Sequence, residues 1–68
     1  MIKSKVRELR QQRGLSIMGM CYEVKVNPTI LGMTERKQLA PSKRVRETVV
    51  AFFEVPEAQL FGYNGLAL

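Results

Sequence analysis

The sequence predicts an all-α domain built from five short helices, and three observations carry that expectation. Apolar residues recur at helical spacing, most plainly Val45, Val49 and Phe53 at i, i+4 and i+8. Polar cap residues and Gly or Pro breakers fall where those patterns begin and end. At 68 residues the chain holds one domain, and folding at that size buries only about 60% of the surface of the unfolded chain, so the core must be efficient. A composition of 46% hydrophobic and 25% charged residues suits such a core and argues against a disordered tail or a coiled coil as the main content.

The first helix is expected over residues 2–13, I-K-S-K-V-R-E-L-R-Q-Q-R, with Ile2, Val6 and Leu9 at helical spacing and Gly14 as its stop. Ser16 caps a second helix running to about Val24, with Met20, Cys21 and Val24 on one face and Gly19 where a capping box would want Glu or Gln. Only Lys25 and Val26 intervene before Asn27-Pro28, a polar N-cap followed by proline at the first helical position, where its missing N–H costs nothing. A third helix begins there, with Leu31 and Thr34 inward. Gly32 inside it costs about 1 kcal/mol relative to alanine, so something local needs a small residue. Residues 36–41 read as a basic loop, and Ser42 caps a fourth helix in which Val50 and Phe52 flank the apolar row. Residues 55–61 give a short fifth helix with Leu60 and Phe61 inward and Gly62 at its end. The tail Y63-N-G-L-A-L68 contains an Asn-Gly turn pair, and its leucines pack back on helices one and five or meet a second chain.

Charge is unevenly distributed. Residues 1–46 hold all eleven Lys and Arg against three Glu, whereas residues 47–68 hold three Glu and no base. Such asymmetry points to an anionic partner for the first two thirds, nucleic acid before an anionic membrane surface, with a surface tuned for solubility as the plain alternative. The single Cys21 forms no internal disulfide and no signal-peptide core follows Met1, so the expected location is cytoplasmic. No run approaches the roughly 20 apolar residues of a spanning helix.

Helices 16–24 and 27–35 with their very short connection have the dimensions of a helix-turn-helix. The stretch L9-R-Q-Q-R-G-L-S16, Cys21 at the small-residue position of helix two, Glu35 closing helix three, P41-S42, and V55-P-E-A-Q-L-F61 follow in order, without a gap, from about residue 5 to residue 61. On these residues the chain resembles the phage repressor and Cro-like (XRE-type) helix-turn-helix transcriptional regulators. The resemblance implies a compact five-helix lambda-repressor-like DNA-binding domain over residues 1–62, with residues 63–68 as a tail on the domain or at a dimer interface. It implies helix three in the major groove, helix two across the backbone, and a homodimer on two half-sites roughly one helical turn apart. It also implies that Arg10 and Glu35 pair, tying helix one to the end of helix three.

The expected base-contacting residues are Ile17, Asn27, Pro28, Thr29, Gly32 and Met33. They depart from the family, which carries Gln, Arg, Ser or Asn on this face; bidentate readout of guanine needs Arg or Lys, and of adenine Asn or Gln. Thr29 supplies one hydrogen bond and a methyl, Met33 and Ile17 apolar contact, Asn27 a base contact or merely a cap, and Gly32 close approach. The phosphate-contacting candidates are better equipped: Ser16 at a helix N-terminus, then Arg36, Lys37, Lys43 and Arg44 after helix three.

The chain has no His, no Asp, one Cys and no glycine-rich phosphate loop, so no enzyme, metal, cofactor or small-molecule substrate is expected. Cys21 reads as a small buried hydrophobe, and Tyr22 and Tyr63 form no base-stacking pattern. The leading expectation is a DNA-binding regulator that occupies an operator. The rival is a protein-interaction module using an apolar outer face of Ile17, Met18, Ile30 and Met33, and sequence-neutral nucleic-acid binding is a third reading.

Overall fold

The computed structural model describes residues 4–68 and contains, among them, five helices and no strand: α1 Lys5–Gln12, α2 Ile17–Val24, α3 Pro28–Glu35, α4 Lys43–Phe53 and α5 Glu57–Leu60. The all-α expectation is met. Three of the starts follow from the cap chemistry read in the sequence. Ser16 Oγ accepts from Gly19 N at 3.0 Å, Asn27 Oδ1 from Thr29 N at 2.8 Å with Pro28 at the first helical position, and Ser42 Oγ from Val45 N at 3.3 Å. Each bond satisfies an amide that the helix cannot pair internally.

The first helix begins later than expected. Ser4 is its N-cap, buried, with Oγ accepting from Arg7 N at 3.2 Å, so the described helix starts at Lys5; Ile2 lies outside the described residues. At the other end the fifth helix is shorter than 55–61, because Pro56 sits at its N-cap and Phe61 is already extended (φ −132°, ψ 140°).

The helix C-termini are closed by two versions of one device. After α1, Gly14 (φ +70°) donates to Gln11 O at 2.9 Å and Leu15 to Arg10 O at 3.1 Å. After α3, Lys37 (φ +61°) donates to Thr34 O at 3.1 Å and Gln38 to Met33 O at 2.9 Å. Both are Schellman closures, with the left-handed residue just past the helix pairing the last orphan carbonyls. The second has a lysine where the first has a glycine. Lys25 and Glu54 are also left-handed, at the ends of α2 and α4.

Packing joins α1 to α3 and α5, α2 to α3 and α4, and α4 to α5 around one core. Val6 of α1, Met20 of α2, Leu31 of α3, Val49 of α4 and Leu60 of α5 are each completely buried, one from every helix. Burying a side chain of this kind stabilises the fold by about 1.5–3 kcal/mol. The radius of gyration is 10.4 Å, compact for this length, for which about 11 Å is typical.

The tail contacts its own chain through its backbone and the buried Ala67, while Leu68 is 48% exposed. Phe61 and Ala67 form an isolated antiparallel bridge, Leu68 N donates to Leu60 O at 2.9 Å, and Leu68 O accepts from Lys5 N at 2.6 Å. The tail thereby ties α5 to the start of α1. Among the described residues no helix is long and apolar enough to cross a membrane.

Candidate nucleic-acid interface

The α2–α3 pair is held against α1 by a buried ion pair. Arg10 Nε donates to Glu35 Oε2 at 2.7 Å and Nη2 to Oε1 at 3.1 Å, a bidentate fork, while Nη1 donates to Leu15 O at 2.7 Å. Both side chains are almost wholly out of solvent, and every buried side-chain N or O among the described residues has a partner. The acid at the end of α3 is thus fixed in rotation, which in turn fixes which way the rest of that helix faces.

With Leu31, Thr34 and Glu35 buried, the helical period turns Thr29, Met33 and Arg36 outward. Pro28 and Thr29 are exposed, Ile30 and Met33 half-buried, and Asn27 is exposed with its Oδ1 committed to the cap. Ile17 is half-buried against the core. Gly32 itself is buried. A Cβ built there meets Arg36 first, with Nη1 at 3.2 Å, Nη2 at 3.7 Å and Cζ at 3.8 Å, so the surface at this point of α3 is the guanidinium of Arg36 lying back over the glycine. Its Nε donates to Gln38 Oε1 at 3.3 Å.

The described cations divide by what they touch. Arg10 is paired with Glu35; Arg13 lies 4.8 Å from the Phe52 ring centroid and 5.2 Å from that of Phe53; Arg46 donates to Pro41 O at 3.1 Å and stands 3.8 Å from Glu57. All three are engaged within the chain, with Arg10 buried, Arg46 half-buried and Arg13 exposed. Lys43 stands 3.9 Å from Glu47, an exposed i, i+4 pair of the kind that contributes little. Lys5, Arg7, Lys25, Arg36, Lys37 and Arg44 have no carboxylate within 4.0 Å among the described residues; Lys5 and Arg7 lie on α1. Lys25 and Arg44 share the rim of an open cleft of about 390 Å³ with Asn27, Ile30 and Ser42, which joins the start of α3 to the start of α4. Cations therefore stand at both ends of α3: Lys25 and Arg44 at its beginning, Arg36 and Lys37 at its end. Ser16, at the N-terminus of α2, is exposed with its hydroxyl capping Gly19.

Sequence reasoning had not singled out Lys25 or Gln38, and had placed Arg36 in a loop. The spacing of Gly32 and Arg36, i and i+4 on one helix face, is the signal from which their contact follows. Among the described residues no group of three or more His, Cys, Asp or Glu is placed to hold a metal. The Cys21 thiol is buried, and its pKa is raised by that burial and then by the Glu35 carboxylate, with Arg10 opposing. No family model, curated protein or solved structure matches the chain.

Proposed function

We propose that this chain is a sequence-specific DNA-binding transcriptional regulator of lambda-repressor-like helix-turn-helix design, acting from the cytoplasm as a homodimer. In this reading α3 enters the major groove of duplex DNA, α2 crosses the backbone, and each protomer takes one half-site about one helical turn from the other. The observation that carries it is the bracketing of the exposed edge of α3 by cations that the fold leaves without carboxylate partners. Phosphate neutralisation by Lys25, Lys37, Lys43 and Arg44, aided by the amides at the Ser16 end of α2, supplies the affinity, and the edge of α3 supplies the discrimination. No cofactor or substrate has a part in this mechanism.

The test is enrichment of random duplex DNA by the purified chain at two ionic strengths. A recurrent motif whose affinity falls steeply with salt supports the proposal. Retention of no duplex at low salt would remove it. A protein-docking role on the same scaffold has one observation of its own: Met18 and Tyr22, one turn apart on α2, are 65% and 85% exposed. That role predicts partner binding that Met18→Lys abolishes and salt barely alters.

A further inference from the structure

The reading edge of α3 carries no Arg, Gln or Asn between Pro28 and Glu35, which leaves a groove-binding helix without a bidentate group. The structure assigns that part to Arg36: folded back over Gly32, its guanidinium is a built guanine reader rather than a loose phosphate clamp. This inference rests on the proposed docking of α3 in the major groove.

Four features support it. Arg36 is the C-cap of α3 and its amide still donates to Gly32 O at 3.1 Å, so its side chain leaves the helix on the same side as Thr29 and Met33. Gly32 provides the bed, since a Cβ there stands only 3.2 Å from Nη1; a glycine that costs α3 helical stability thus has a local use. Gln38 holds the guanidinium from behind through Nε, and Gln38 is itself placed by the closure in which its amide bonds Met33 O and Lys37 takes the left-handed conformation. Finally, neither Nη1 nor Nη2 has a hydrogen-bond partner or a carboxylate among the described residues. The terminal fork is what pairs with guanine O6 and N7, and restraint of the side chain before binding reduces the entropy lost in forming those bonds. Gln38 acts through Arg36 and is a positioning residue.

The experiment measures the motif enriched by the full chain and by Arg36→Ala and Arg36→Lys, followed by affinity for duplexes in which each guanine of the motif is replaced in turn by 7-deazaguanine, which lacks the N7 acceptor. Circular dichroism checks that the exposed Arg36 is dispensable for folding. The expected result is one guanine per half-site at which the deaza base weakens the native chain about tenfold and Arg36→Ala not at all. In Arg36→Ala the four bases become equivalent at that position while the rest of the motif stands. Arg36→Lys keeps the charge, and hence the salt slope, and weakens the guanine preference without abolishing it, because an ammonium can reach O6 and N7 but lacks the planar fork. If Arg36→Ala instead weakens every sequence alike and leaves both motif and deaza sensitivity in place, Arg36 is a phosphate contact and the inference is overturned with the DNA-binding reading intact. If the native chain itself retains no duplex, the DNA-binding reading falls and this inference with it.

Discussion

Glu35 carries more of the architecture than any other polar residue. It is 3% exposed, and its two oxygens accept the Nε and Nη2 of Arg10 across a separation of 25 residues in the chain. Truncation to alanine leaves the guanidinium buried with Leu15 O as its remaining protein acceptor, a situation that costs about 3–5 kcal/mol. In a domain of this size each kcal/mol moves the melting temperature by about 4–8 °C, so Glu35→Ala is expected to lower it by about 12 °C or more. The double variant Arg10→Met with Glu35→Leu removes both charges together and recovers most of that loss. An unaltered melt in the single variant would show that α1 and α3 are held by their apolar contacts alone. Cys21 lies beside this pair, and burial first and the Glu35 carboxylate second raise the pKa of its thiol. The unfolded thiol ionises above about pH 8.5 while the folded one keeps its proton. Its contribution to stability is full below the unfolded pKa and lost as pH rises through the folded value. Urea midpoints followed upward from neutral pH should therefore decline in the native chain more than in Cys21→Ala; parallel declines would contradict this.

At the scale of the helices, the beginnings of α2, α3 and α4 and the ends of α2 and α3 at Val24 and Glu35 were legible, whereas the devices that close those ends were not. Ser16, Asn27-Pro28 and Ser42 announce themselves because a cap needs a particular side-chain oxygen at one position, and few residue types provide it. An ending needs only a left-handed residue. Gly14 signals one, but Lys25, Lys37 and Glu54 adopt the same conformation with nothing in their chemistry to mark them. The shortened α5 was obscured for a related reason, since Phe61 is apolar enough to extend a helical pattern yet pairs with Ala67 as extended chain. The end of α3 at Glu35 was legible and agrees with the structure, but the return of the Arg36 side chain over Gly32 and toward Gln38 was not, because it depends on a closure in which Lys37 is left-handed. The two Schellman closures offer a matched comparison. At Gly14 an added Cβ meets nothing within 4 Å, so Gly14→Ala tests backbone strain alone and should cost about 1 kcal/mol. Lys37→Gly relieves that strain but loosens the unfolded chain, for a net gain of at most about 1 kcal/mol. Thermal denaturation of the pair should move in opposite directions, and a loss in Lys37→Gly would mean that the lysine side chain supports the closure.

At the scale of the whole molecule, the uneven charge seen in the sequence resolves into cations engaged within the chain and cations left without a carboxylate, the latter including Lys5 and Arg7 on α1 as well as those around α3. Arg10, Arg13 and Arg46 serve the fold, through a carboxylate, two aromatic rings and a backbone carbonyl with Glu57 respectively. Lys25, Arg36, Lys37 and Arg44 stand around α3 without such partners among the described residues. If that division governs binding, the dependence of affinity on salt follows the position of a cation rather than its charge. Each phosphate contact removed lowers the slope of log affinity against log salt by about 1. Arg44→Ala and Lys37→Ala are each expected to do so and to weaken all duplexes alike, leaving the melting temperature nearly unmoved. Arg13→Gln removes the same unit charge, yet it should leave the slope unchanged and lower stability by about 0.5–1 kcal/mol, because what it breaks is the stacking on Phe52 and Phe53. Duplex titrations across a salt series, run beside melting curves for the three variants, compare these effects directly. Were Arg13→Gln to reduce the slope as much as Arg44→Ala, the nucleic acid would have to contact the α1–α4 side as well, and α3 would lose its claim to be the face that meets DNA.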